Sequence, residues 1–424
     1  MRVLLVSANR TEINMRALPL GLGCVAAGLK AAGHEVQTLD LLEAQDVQTA
    51  LEGAIGRSVP NAVGVSLRNI DDQNMLSPRT FLPEADDIIT RVKSLTSAPV
   101  ILGGAGYSIF PEAALARTQA DMGICGEGEE ALRLLLERIE RGRPLAGTPG
   151  LYLKGKGLQG ERIFVRDLDR FPLPGADLLT AAGGSDTALP VQTRRGCPMG
   201  CSYCSTAAIE GRAVRKRSPV KVVEWIAQWR AVGVRRLYFV DNTFNLPASY
   251  ARSLCWELIA ASLDVPWTAI VYPSRMEEDL ADLMAQAGCV EAAVGFESGC
   301  ERMLKGMRKR FTPADVARTR AVLAKSGIGC MGFLLLGGPG ETRDSVKESL
   351  DFADGLECDS LKVTVGIRIY PGTPLAARVL REGVVAPGDD LLSPRFYMAP
   401  GLEEWIRETV ADYAATRPSC VVDR

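Results

Sequence analysis

Apolar and polar positions follow two rhythms along the chain. Short, nearly unbroken apolar runs have the length of buried strands: "MRVLLVSAN" (1–9), "AVGVSLRN" (62–69) and "APVILGG" (98–104). Between them lie longer stretches with apolar residues three and four apart. These are "GLGCVAAGLKAAGHEV" (21–36), whose end runs into a further strand, "EADDIITRVKSLT" (84–96) and "MGICGEGEEALRLLLERIERG" (122–142). That spacing predicts helices with one apolar face. Strand and helix alternate over residues 1–145, which predicts an α/β domain built on a doubly wound parallel sheet. Ligands of such sheets sit at the carboxyl ends of the strands. Polar residues and glycines gather at four predicted ends: Ser7 to Arg10, Ser66 to Asn69, Gly103 to Gly106 and Gly126 to Glu129. A ligand site is expected on that rim.

The rhythm lapses over 146–186, a stretch with a hairpin-like middle and a Pro/Gly-rich end, read as a linker with a small ribbon. It resumes at 187. Six strand-helix units up to residue 380 predict a partial barrel, two strands short of the eight-stranded form. Residues 381–424 form a C-terminal extension with one helical pattern, "LEEWIRETVADYAAT" (402–416), and no clear partner.

Composition narrows the classes. The 424 residues carry a net charge of −2, so no global basic field attracts nucleic acid. The one basic run, "EGRAVRKRS" (210–218), reads as a solvated face. No apolar stretch reaches the ~18 residues a membrane helix needs. The first residues lack the apolar core of a signal peptide, so a cytoplasmic location is expected. Eleven cysteines in such a chain argue against a disulfide framework. A single histidine, His34, excludes His-rich metal sites and His-based triads.

Three of the cysteines do have ligand spacing. Cys197, Cys201 and Cys204 lie in "RRGCPMGCSYCST" (194–206) as C-x-x-x-C-x-x-C. Structural zinc needs a fourth Cys or His at matching spacing, and none lies nearby. An iron–sulfur cluster held by three thiolates leaves one iron open to a small molecule. Gly196 and Gly200 let the loop wrap closely around such a cluster, and Pro198 stiffens it.

This loop, at the end of the first predicted barrel strand and with the aromatic Tyr203 before its third cysteine, resembles the signature of the radical S-adenosylmethionine (SAM) superfamily. The resemblance implies a [4Fe-4S] cluster whose open iron is chelated by SAM. Cleavage of SAM would then yield a 5′-deoxyadenosyl radical that abstracts hydrogen from substrate. Later stretches match the family's SAM-binding strand ends. They are "FVDNTF" (239–244) with Asp241 and Asn242 near the SAM amino group, and "GFESG" (295–299) with Glu297 for the ribose and Ser298 for the carboxylate region. "GCMGFLLLGGPGET" (329–342) would lie along the adenine with its backbone, at Gly332 and Leu336, and "IRIYPGTPL" (367–375) would bound the pocket with Tyr370. Arg217 is the expected partner of the SAM carboxylate. The family also implies an external one-electron donor such as flavodoxin or ferredoxin.

The first 145 residues resemble the cobalamin-binding domain that precedes the barrel in one large subfamily, although the D-x-H-x-x-G motif that supplies a histidine to cobalt elsewhere is absent. The resemblance makes Asn9, Arg68, Asn69, Gly103, Gly104, Gly126, Glu127 and Gly128 the candidate cobalamin contacts. A cationic Arg68 would leave the lower face of cobalt uncoordinated. His34, at a helix end, is expected to be structural. Two functions stay open. One is cobalamin-dependent methylation of an unactivated carbon in a small metabolite or natural-product intermediate. The other is a radical dehydration, cyclisation or redox reaction with a vestigial, cobalamin-free first domain. No catalytic acid or base is identified.

Overall fold

The computed structural model describes residues 1–11, 18–175, 178 and 188–422. Two compact units emerge. The first comprises residues 1–72, 79–187 and 208–211, and the second 73–78, 188–207 and 212–424.

The first unit is built on strands β1 (Arg2–Ser7), β2 (Glu35–Asp40), β3 (Ala62–Ser66), β4 (Val100–Gly103), β5 (Met122–Ile124), β6 (Leu151–Leu153) and β7 (Gly157–Leu158). They form one sheet in the order β2-β1-β3-β4-β5-β6-β7. The first five run parallel, as the alternation predicts. The ribbon expected within the linker is real: β6 continues the sheet antiparallel to β5, and β7 pairs antiparallel with β6. Residues up to 187 therefore group with this unit. Val3 and Leu5 sit in a core closed by the helices Leu20–Ala31 and Gly128–Glu140. Leu4 and Val6, of opposite parity, are also buried, and the helix Val47–Ser58 covers their strand. Apolar residues of both parities mark a strand covered on both faces. Strand order reverses between β1 and β3, the switch point at which ligands of such sheets bind.

The second unit holds β8 (Leu189–Val191), β9 (Arg194–Arg195), β10 (Arg215–Lys216), β11 (Leu237–Phe239), β12 (Trp267–Val271), β13 (Cys289–Glu297), β14 (Gly329–Leu336), β15 (Ser360–Val365), β16 (Ile367–Arg368), β17 (Phe396–Tyr397) and β18 (Cys420–Val422). Its main sheet runs β8-β11-β12-β13-β14-β15-β18. The first six strands are the expected six. The seventh corrects the reading of 381–424 as an extension without a partner: β18 pairs parallel with β15, and the helix Glu403–Ala415 precedes it. Three apolar residues make too short a run to read as a strand. The helical layer packs on Phe239, Phe244 and Trp267, whose rings lie 4.9–5.1 Å apart.

Side chains of a strand alternate between faces, and here burial tells the faces apart. On β14, Cys330, Gly332 and Leu334 are buried, while Met331 and Phe333 are half-exposed. A Cβ on Gly332 would lie 3.0 Å from Phe296 and 3.2 Å from Leu361, residues of the buried set on β13 and β15. The half-exposed set continues across neighbouring strands through Thr268 and Ile270 on β12 and Lys362 and Thr364 on β15. That second face is the one open to a ligand.

Candidate functional site

The cysteine loop leaves β9 and is held from three sides of its own unit. Arg310 donates to the Pro198 carbonyl at 3.3 Å. The Ser202 amide donates to the Met307 carbonyl at 3.0 Å, and the Leu375 amide donates to the Ser202 carbonyl at 2.9 Å. Gly196 and Gly200 take φ of 93° and 69°, a region that side chains disfavour. Cys197, Cys201 and Cys204 are half-buried and take part in no disulfide among the described residues.

Beneath the loop lies Asp241, at the end of β11, fully buried. Its carboxylate accepts from the Thr193 amide at 2.8 Å, the Arg194 amide at 3.1 Å and the Thr193 hydroxyl at 2.5 Å. It also pairs with Arg194 at 3.3 Å. Burial raises its pKa and the Arg194 charge opposes that rise. The guanidinium of Arg194 lies 4.6 Å from the Tyr250 ring and donates to the Leu246 carbonyl at 2.7 Å. Asp241 thus faces protein on every side and braces the strand that launches the loop, which corrects its expected place at the SAM amino group. Asn242, one residue on, lies at the loop. Its Oδ1 is 3.4 Å from the Thr206 hydroxyl, and Thr206 in turn lies 3.2 Å from the Cys204 sulfur.

Two further expectations, those for Ser298 and Arg217, change for the same reason. The Ser298 hydroxyl is buried against Ser349 at 2.8 Å and accepts from the Cys300 amide, so it ties the turn to the helix Arg343–Leu356. Gly332 and Leu336 face away from the open side of β14. A ligand there would meet their backbone and the side chains of Met331 and Phe333. Arg217 and Arg215 are buried beside β9, so only Arg212 and Lys216 of the basic run are solvated. Tyr370 is buried, with the Arg368 guanidinium 5.0 Å from its ring.

Glu297 does reach the site, and it brings a residue the sequence did not single out. The register of β13 slips between Gly295 and Glu297, and Glu297 takes φ 62°. Its carboxylate pairs with Lys309 at 2.9 Å, with side chains only 15% and 6% exposed. The Lys309 ammonium lies 5.3 Å from the Tyr203 ring centre. Burial raises the Cys201 thiol above its ordinary range, and the Lys309 charge pulls it back. Burial also keeps Tyr203 protonated. Tyr272, whose hydroxyl accepts from the Arg310 amide at 2.9 Å, fixes the segment that carries Lys309.

Among the described residues no three His, Cys, Asp or Glu side chains converge on a single metal ion. The donor set fits a cluster instead, in which each thiolate binds its own iron. Three half-buried thiols share one glycine-bearing loop, and the Thr206 amide points to the Cys204 sulfur at 3.5 Å.

On the first unit, the switch point holds Asn9 and Arg68. The Asn9 side chain accepts from the Arg68 amide at 2.7 Å. Burial lowers the pKa of the Arg68 guanidinium, with Asp40 offsetting it only from a distance. Among the described residues that guanidinium has no salt-bridge partner. Asn69 is half-buried beside it. Gly104 (φ 101°) and Gly126 (φ 98°) form the neighbouring rim, and a Cβ on Gly104 would lie 2.5 Å from the Leu67 carbonyl oxygen. Gly104 thus lets the end of β4 pack directly on the Leu67 backbone, beside Arg68. Gly103 is half-buried on the same rim. Two expected contacts turn inward: Glu127 accepts from the Val165 amide at 3.0 Å, and Gly128 packs against Val25, whose side chain would lie 2.9 Å from an added Cβ. His34 lies at the opposite, amino-terminal edge of the sheet, where its Nδ1 is 3.3 Å from the Met1 amine.

Comparison with known proteins gives two family matches: the radical SAM superfamily over residues 191–353 and the B12 binding domain over residues 6–136. An uncharacterised methyltransferase of Pyrococcus horikoshii is 28% identical over 388 residues, 88% of this chain and 82% of that protein. The tryptophan 2-C-methyltransferase of Streptomyces laurentii is 25% identical, over 88% of this chain and 74% of its own length. Among solved structures, the radical SAM methyltransferase TsrM from Kitasatospora setae, with tryptophan and a SAM analogue bound, superposes with a TM-score of 0.86. It is 26% identical, covering 97% of this chain and 88% of that one. The same enzyme with cobalamin and a [4Fe-4S] cluster bound matches in fold equally well.

Proposed function

Because the chain belongs to the radical SAM superfamily, in the subfamily with an N-terminal cobalamin-binding domain, we propose that it is a cobalamin-dependent radical SAM methyltransferase acting on a small molecule. The observation that carries the reading is the pairing of two sites on one chain. One is the three-cysteine loop at the head of the second sheet, and the other is the switch-point rim around Arg68 on the first. Methyltransferases recur among the relatives, and tryptophan is bound in one of the similar structures.

Cys197, Cys201 and Cys204 would hold a [4Fe-4S] cluster, which would supply the electron for SAM cleavage, and the rim around Arg68 would hold cobalamin, which would supply a methyl carrier. The chain's own residues hold and orient. Asp241 and Arg194 stiffen the strand entering the loop, and Asn242 offers an acceptor next to it. Met331 and Phe333 give an apolar wall on the open face of β14. At the other site, Asn9 fixes the Arg68 backbone, and among the described residues only Asp40, from a distance, offsets the guanidinium charge at the rim. Arg68 and Asn69 would hold cobalamin at this rim, and the Arg68 cation would offer it no lone pair as a ligand. The electron comes from an external donor of the flavodoxin or ferredoxin type, and the substrate is a small metabolite or natural-product intermediate.

The test is anaerobic reconstitution with iron, sulfide and hydroxocobalamin, followed by desalting and incubation with SAM, a one-electron reductant and extracts of small metabolites. Retained corrin absorption and formation of both S-adenosylhomocysteine and 5′-deoxyadenosine support methyl transfer. 5′-Deoxyadenosine without S-adenosylhomocysteine, on protein that retains no corrin, overturns it in favour of a radical rearrangement or redox reaction.

A further inference from the structure

Glu297 and Lys309 form a buried ion pair that the cysteine motif does not account for. The pair is 2.9 Å long and nearly enclosed. It lies against Tyr203, the residue just before the third cysteine, with the ammonium 5.3 Å from that ring. Both partners are held in place. The register slip in β13 and a left-handed φ of 62° aim Glu297 inward. Lys309 is flanked by Met307, whose carbonyl takes the Ser202 amide of the cysteine loop, and by Arg310, which reaches the Pro198 carbonyl of the same loop. The residues on either side, Arg308 and Arg310, are exposed. The basic run at 308–310 is therefore not a uniform solvated face, because its middle member is turned into the protein.

Buried ion pairs are weak contributors to stability, because desolvation offsets their attraction. A pair kept here calls for another role. One-electron reduction of a cluster adds a negative charge, and cluster potential depends on local charge and solvent exposure. Beside a group whose charge changes, two fixed opposite charges act as separate levers.

We propose that Lys309 and Glu297 are positioning residues that set the reduction potential of the cluster held by Cys197, Cys201 and Cys204. The ammonium favours the reduced form and the carboxylate limits that bias. The inference rests on the radical SAM reading above. It does not depend on which substrate is used or on whether cobalamin is bound.

The experiment is a potentiometric titration with dithionite, followed by electron paramagnetic resonance, on the full chain carrying a reconstituted cluster, without SAM. The proteins compared are the wild type, Lys309→Met, Lys309→Arg, Glu297→Gln and the Lys309→Met/Glu297→Gln double variant. Lys309→Met should lower the midpoint. A unit charge near the cluster edge, at the effective dielectric of proteins, changes the reduced-to-oxidised ratio at fixed potential by about tenfold, or about 59 mV for a one-electron couple. Glu297→Gln should raise the midpoint. The double variant should return towards the wild-type value, and Lys309→Arg should stay there. A purely structural role would move none of these in opposite directions. Midpoints that coincide in the wild type, Lys309→Met and Glu297→Gln overturn the inference and leave the functional reading intact. If Lys309→Met loses its cluster, an unmoved midpoint in Glu297→Gln overturns it alone. A wild-type chain that assembles no cluster overturns the reading and this inference with it.

Discussion

The brace under the cysteine loop gives a quantitative test of how the site is held. Asp241 is 0% exposed and Arg194 2% exposed, so neither charge is screened by water. Replacing Asp241 by Asn keeps an acceptor for the Thr193 and Arg194 amides, but removes the partner of a buried guanidinium. Loss of one partner of a buried pair costs about 3–5 kcal/mol. Because the two amide bonds survive, the lower end applies, about 3 kcal/mol, or roughly a hundredfold in a local equilibrium. Asp241→Ala also orphans two buried amides, each worth about 1–3 kcal/mol. Removing both charges, as in Arg194→Met/Asp241→Asn, should recover about 2 kcal/mol relative to the sum of the single changes. The chain has two units, so a whole-chain melt does not isolate this effect. The assay is native-state hydrogen exchange at the amides of residues 193 and 194, with iron per chain after reconstitution as a second readout. Asp241→Asn should exchange roughly a hundredfold faster and bind less iron. Wild-type exchange with full iron in Asp241→Asn would show that Asp241 does not hold the loop. Strict additivity in the double variant would show that the two charges do not act as a unit.

Serine at Cys197, Cys201 or Cys204 should each abolish the cluster's visible absorption after reconstitution, whereas Cys255→Ala, in the helical layer, should retain it; equal loss in all four would point to unfolding instead. Gly104→Ala places a Cβ 2.5 Å from the Leu67 carbonyl at a φ of 101°. The backbone strain alone costs about 1–3 kcal/mol, so corrin retention should fall, as read by absorbance after desalting. Asp354 pairs with Arg417 at 2.6 Å and accepts from the Tyr413 hydroxyl at 2.6 Å, tying the C-terminal helix to the helix Arg343–Leu356. The Arg417 bond lowers its pKa from the ordinary 3.8. The unfolded chain therefore takes up this proton first as pH falls. The stabilisation is complete above 3.8 and is lost as pH drops through the lower folded value. Proteolysis within residues 403–422 should accelerate below pH 3.8 in the wild type and already at neutral pH in Asp354→Asn; equal cleavage of the two at neutral pH would exclude the tie.

What could be read in the sequence divides along a physical line. Cys197, Cys201 and Cys204 were legible because their geometry is local: seven bonds of chain separate the outer two, and no tertiary fold is needed to bring them together. The two sheets were legible because each strand is an apolar run and each helix has a stripe. Side-chain direction at the strand ends was not. A parallel strand covered on both faces is apolar at every position, so hydropathy carries the period of two but not its phase. That is why the sequence does not tell the Gly332 side of β14 from the Met331 and Phe333 side, or Asp241 from Asn242. In each case adjacent residues point opposite ways, and the inward one serves the fold. Lys309 was hidden for a related reason. It sits between two exposed arginines after a short helix, in a run indistinguishable by composition from a solvated surface. Only the bulge in β13, which turns Glu297 towards it, separates this lysine from its neighbours. A polar residue at a strand end is therefore a candidate for a site only as one of an adjacent pair. Which of the two meets the ligand is set by the phase of the strand, and at Glu297 by a register shift, and neither leaves a mark in the composition.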